Sequence, residues 1–177
     1  MRKVKTYKEF SPINESLGFG NSDEYNDLKN LYAKKEVEEL KEYFYDLTDD
    51  KIATVGIWSY IGESDNGRSI GHSQSSVDVG KNHSIFYRIN ISSDNKSMDL
   101  LNLHNNFDNL KKVSTNLKKL SNCIDSFSST FGDDVIIDDL SGTGNDIRVS
   151  LSLRGELIDK HTIETYYEKW KENKKPH

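Results

Sequence analysis

Residues 147–153, Ile147-Arg148-Val149-Ser150-Leu151-Ser152-Leu153, decide the fold. Ile147, Val149, Leu151 and Leu153 alternate with Arg148, Ser150 and Ser152. Side chains two apart share one face of a strand, so the segment reads as a half-buried antiparallel strand. Just before it, residues 135–140 form a second apolar run, and Ser141-Gly142-Thr143-Gly144-Asn145 has the composition of the hairpin turn joining the two. Further upstream, Ile85, Tyr87, Ile89 and Ile91 alternate with Phe86, Arg88 and Asn90, and residues 52–61 are rich in β-branched and aromatic side chains. These are two more strands, separated by a Gly/Ser/Asn-rich loop at residues 62–82.

Between the two strand pairs the period changes. Leu103, Phe107, Leu110, Val113, Leu117, Leu120, Ile124 and Phe127 recur every three or four positions, which predicts one long helix. Capped by Ser97 and stopped at Gly132, it would run about thirty residues, ~45 Å at 1.5 Å per residue. Shorter helices flank the strands. Ser22 can cap one that begins with Asp23 and Glu24 and presents Tyr25, Leu28, Leu31 and Tyr32. Val37, Leu40, Tyr43, Phe44 and Leu47 predict a second over 36–47. The last starts at Asp159, with Ile158 and Ile163 placed as a hydrophobic staple and Ile163, Tyr166, Tyr167 and Trp170 as its apolar face. The order predicts an α+β fold: a four-stranded, mainly antiparallel sheet with helices packed on one face and one long helix in the middle of the chain. The expected organisation is a leader at 1–15, a linker and short helix at 16–34, and a single α+β domain at 35–177.

Composition narrows the function classes. The 177 residues are 34% hydrophobic and 30% charged, with a net charge of −5 and a mean hydropathy of −0.76. Net acidity argues against nucleic acid as a partner. Cys123 is the single cysteine, which excludes an intramolecular disulfide. No apolar run approaches the ~18 residues of a membrane span, and the start has no secretory apolar region, so no membrane partner is expected.

No residue pattern commits the chain to a reaction. Asp49-Asp50, Asp133-Asp134 and Asp138-Asp139 are paired carboxylates, but the first two fall at turns, where Asp serves local hydrogen bonding. His72, Asp78 and His83 match no zinc spacing of fixed geometry. His104 and His161 lie on helices and read as solvent-facing. The glycines at 142 and 144 precede a strand, whereas a phosphate loop precedes a helix. No Gly-x-Ser-x-Gly elbow occurs. Cys123 reads as a small interior residue. Lys111-Lys112 and Lys118-Lys119 read as the solvated side of an amphipathic helix. The expectation is therefore a protein that is not an enzyme, with no cofactor and no metal.

The first fifteen residues differ from the rest. Arg2, Lys3, Lys5 and Lys8 make them basic, Val4, Tyr7 and Phe10 fall on one helical face, and Pro12 turns Ser11 away from helix. The segment Lys5-Thr6-Tyr7-Lys8-Glu9-Phe10, followed by Ile13-Asn14-Glu15-Ser16, resembles the leader of the internal, capsid-packaged proteins of T-even-like large tailed phages. Lys5, Thr6, Tyr7, Glu9 and Phe10 match that family's targeting pattern, and Ile13 and Glu15 match its cleavage context. The resemblance implies recognition by the prohead scaffold, cutting by the prohead protease after Glu15, and Ser16 as the new N-terminus. Ser11-Pro12 departs from the family pattern, which runs straight on to the cleavage site. The match covers about fifteen residues of 177.

Residues 1–15 hold four basic and two acidic residues. Of the chain's 24 basic and 29 acidic residues the remainder keeps 20 and 27, a net charge of −7. Such a body would not condense DNA. The resemblance therefore implies a protein located in the virion interior and then in the host cytoplasm, where it binds and modulates a host protein, for example a defence enzyme. Two other readings stand beside it: a virion structural or assembly component using the long helix, and a cytoplasmic phage enzyme or inhibitor.

Overall fold

A computed structural model describes residues 19–20, 22–33, 36–64, 81–93, 107–143 and 146–174. The expected leader, with Lys5, Thr6, Tyr7, Glu9, Phe10, Ile13, Glu15 and Ser16, lies outside the described residues, as do His72, Asp78, His104 and residues 97–106 of the expected long helix.

The chain is α+β, as its periodicities dictate. In order it forms α1 (Asp23–Ala33), α2 (Glu36–Glu42), α3 (Tyr45–Asp49), β1 (Ala53–Glu63), β2 (His83–Ser93), α4 (Phe107–Phe131), β3 (Val135–Thr143), β4 (Asp146–Ile158) and α5 (Lys160–Asn173). The strands make one antiparallel sheet in the order β1-β2-β4-β3, so the second hairpin pairs through β4 with β2, and β1 and β3 are its edges.

The chain divides into two compact units. The first comprises the residues up to Lys34, Tyr60–Ile85 and Glu156–His177. Phe19 is its fully buried anchor, edge-on to Tyr25 at 5.8 Å and to Tyr167 at 5.3 Å, and tilted against Trp170 at 5.7 Å. Phe19 falls in the segment expected to be a linker, where two flanking glycines mask it as a core residue. Ser22 Oγ accepts the N–H of Tyr25, the cap expected for α1. Tyr25 and Leu28 are buried, whereas Leu31, expected on the same face, is exposed. Asp159 caps α5 by accepting the N–H of Thr162 at 3.0 Å, and the staple residues Ile158 and Ile163 are both buried.

The second unit comprises Lys35–Ser59 and Phe86–Gly155. Tyr87, Ile89 and Ile91 of β2 and Val149, Leu151 and Leu153 of β4 are buried, and Val113, Leu120 and Phe127 are the buried stripe of α4. Gly132, with φ of 59°, ends α4 in the left-handed region that favours glycine.

One expectation changes here. The helix over 36–47 breaks at Tyr43-Phe44, where Phe44 N–H bonds the Lys41 carbonyl at 3.1 Å and α3 restarts at Tyr45. Consecutive residues of a straight helix point about 100° apart and do not converge on one neighbour. The break lets both rings reach Phe127, Tyr43 at 5.6 Å and Phe44 at 5.1 Å. β3 carries an irregularity that periodicity does not address. Its register runs Val135↔Leu153 and Ile137↔Leu151, then Asp139↔Ser150 and Leu140↔Val149, with Asp138 as an extra bulged residue. The bulge returns Leu140 to the face that carries Val135 and Ile137.

Candidate functional site

A cleft of about 670 Å³ opens in the second unit. That volume lies within the range of small-ligand sites. Its floor is Tyr87 of β2 with Leu153 and Gly155 of β4, and its wall is Leu40 and Tyr43 beside the end of α4 at Phe131. Glycine at 155 leaves the floor without a side chain at that point. The wall belongs to a continuous aromatic group: Tyr43 to Phe131 at 5.4 Å, and Phe127 to Phe131 at 4.8 Å. The helix break at Tyr43-Phe44 builds this wall, because it turns Tyr43 toward Phe131 while Phe44 is fully buried.

Charge is set at the rim. Glu39 and Glu42 lie three apart on α2, hence on neighbouring positions of one helical face. Both are exposed, and neither has an ion pair among the described residues. Glu38, by contrast, pairs with Lys41 at 2.7 Å. Across the cleft, Arg154 donates from Nε and Nη2 to one oxygen of Asp134, at 2.9 Å and 2.6 Å. Arg154 is thereby neutralised, and its Nη1 remains available to an acceptor. The cleft therefore combines aromatic side chains, two carboxylates without an ion pair among the described residues and one fixed donor.

The residues singled out from sequence are scattered. Asp50 pairs with Lys119 at 2.6 Å, which raises the Lys119 pKa through that hydrogen bond and charge. Asp134 holds Arg154. Asp138 accepts from Ser152 Oγ and lies 3.7 Å from Arg88 Nη2. These carboxylates serve local structure, each at a separate place. His83 is buried at the start of β2, with Nδ1 2.9 Å from the Lys81 carbonyl oxygen. His161 is exposed on α5. No three His, Cys, Asp or Glu among the described residues are grouped to hold a metal ion. Cys123 is half-buried; its thiol donates to the Tyr43 carbonyl at 3.3 Å, and burial pushes its pKa up. Of the lysine face on α4, Lys119 is paired with Asp50 and Lys111 sits 4.9 Å over the Phe107 ring.

Among the described residues, β3 and α4 expose apolar side chains. On β3, Ile137 and Leu140 are 58% and 70% exposed although their cross-strand partners Leu151 and Val149 are buried. On α4, Phe107, Leu110 and Leu117 are exposed along the edge of the buried stripe. Periodicity marks Phe107, Leu110 and Leu117 as core and does not distinguish them from Val113 and Leu120. Glu39, Glu42 and Arg154 carry no signal in the sequence, because the cleft joins residues more than a hundred positions apart. Among the described residues no helix is long and apolar enough to cross a membrane. Comparison with family models, with curated proteins and with solved structures finds no match to the chain.

Proposed function

We propose that the chain is a phage-encoded, non-enzymatic protein, packaged in the capsid through residues 1–15 and delivered with DNA into the host cytoplasm, where it binds a host protein. The observation that carries this reading is the run Lys5-Thr6-Tyr7-Lys8-Glu9-Phe10 with Ile13-Asn14-Glu15 behind it. In this reading the prohead scaffold recognises Lys5, Thr6, Tyr7, Glu9 and Phe10, and the prohead protease cuts between Glu15 and Ser16. A short basic segment with Val4, Tyr7 and Phe10 spaced three apart has the chemistry of a groove-docking peptide. The net charge of −7 on the remainder favours a task other than compacting DNA. Exposed apolar side chains on β3 and α4 supply contact area for a protein partner.

A second reading, a virion assembly component, draws on α4, whose Phe107 and Leu110 are exposed in its first turn. Full and DNA-emptied particles of the phage that carries the gene separate the two. An internal protein leaves with the DNA and is depleted from emptied particles. Retention at fixed stoichiometry overturns delivery and favours assembly.

A further inference from the structure

We infer that the cleft of the second unit is a recognition site for an arginine side chain on an extended segment of a partner protein. The inference is independent of whether the chain is packaged in a capsid.

Three features of the cleft converge on that chemistry. Glu39 and Glu42 are exposed, lie on one face of α2 and lack a cationic partner among the described residues. Two carboxylates a helical step apart can hold the planar, five-donor guanidinium in a way that a point charge does not use. Tyr43 is 37% exposed, and it lines the same cleft as Phe131, Glu39 and Glu42. A guanidinium stacks on aromatic ring faces and gains cation–π attraction there. Arg154, fixed by Asp134 through Nε and Nη2, keeps Nη1 for a neutral acceptor such as a peptide carbonyl. The rim thus provides a cation subsite at Glu39 and Glu42 and a backbone subsite at Arg154. The volume of about 670 Å³ exceeds one side chain and accommodates the residues flanking it. An anionic ligand would meet two carboxylates and a guanidinium already satisfied by Asp134. A purely apolar ligand would leave both carboxylates beside apolar surface without compensation.

The test is an NMR titration of the full chain with the tripeptide acetyl-Gly-Arg-Gly-amide, run beside its citrulline counterpart, which keeps the shape and removes the charge. Shifts should concentrate at Glu39, Glu42, Tyr43, Phe131 and Arg154 with the arginine peptide and be several-fold weaker with citrulline. The double substitution Glu39→Gln, Glu42→Gln should weaken the arginine peptide by about tenfold. Glu38→Gln, on the same helix but paired with Lys41, should leave affinity unchanged. Raising the salt concentration should weaken binding, since the carboxylates are exposed. The inference is overturned by equal binding of the citrulline peptide, by shifts elsewhere, or by no binding at millimolar peptide. Indifference to the double substitution overturns it equally, and the citrulline comparison on the unaltered chain decides even where a variant folds poorly.

Discussion

At the residue scale, Tyr25 shows how one polar atom is accommodated in a core. Its hydroxyl accepts the N–H of Ile61 at 3.0 Å, and the ring is buried against Phe19. Tyr25→Phe keeps the ring but leaves a buried N–H without its acceptor, at a cost of about 1–3 kcal/mol. In urea unfolding the midpoint should fall while the slope stays constant. Burial also raises the Tyr25 pKa above its ordinary 10.0. The folded state then holds the phenol proton more tightly than the unfolded chain does. That contribution is complete below pH 10 and is lost as pH rises through the folded value. Stability of the native chain should decline above about pH 10, and this component of the decline should be missing in Tyr25→Phe. Sequence marks Tyr25 as a helix-face residue but not its bond, because Ile61 is 36 positions away. Phe19 is invisible for a related reason: its partners Tyr167 and Trp170 come from the other end of the chain.

At the element scale, local chemistry is the most legible. Asp159 is placed by a short-range rule, a side chain that accepts from Thr162 N–H and Oγ1–H three residues on. Asp159→Ala should cost about 1 kcal/mol, while Asp159→Asn should retain most of the cap; urea midpoints of the three proteins decide it. β2, β4 and the long helix follow from periods of two and of three to four, β1 and β3 from their β-branched and apolar composition, and the helix stop from Gly132. Periodicity misleads where tertiary packing overrides it. The 36–47 stripe is continuous in sequence, yet the helix breaks so that Tyr43 and Phe44 both meet Phe127. The bulge at Asp138 has no local signature, because it restores the register of Leu140 with Val149 on another strand. Phe127→Ala removes the shared partner of Tyr43, Phe44 and Phe131 and should destabilise by about 3–5 kcal/mol. It should also weaken the arginine-peptide site, whereas Leu110→Ser, at an exposed position of the same helix, should change stability by only about 0.5 kcal/mol or less.

At the scale of the whole molecule, the charge of −5 is a sum over two dissimilar parts, a basic start and a remainder of −7. The acidic cleft rim, with Glu39 and Glu42 facing solvent, belongs to the second part and suits a basic partner. The proposed division of labour assigns addressing to residues 1–15 and partner binding to the body. The most direct test is the N-terminus of the protein recovered from purified virions, read by mass spectrometry. Removal of residues 1–15 predicts a peptide that begins at Ser16, and Glu15→Ala should block its appearance. An intact Met1 on virion-borne protein, or absence of the protein from virions, would contradict the account.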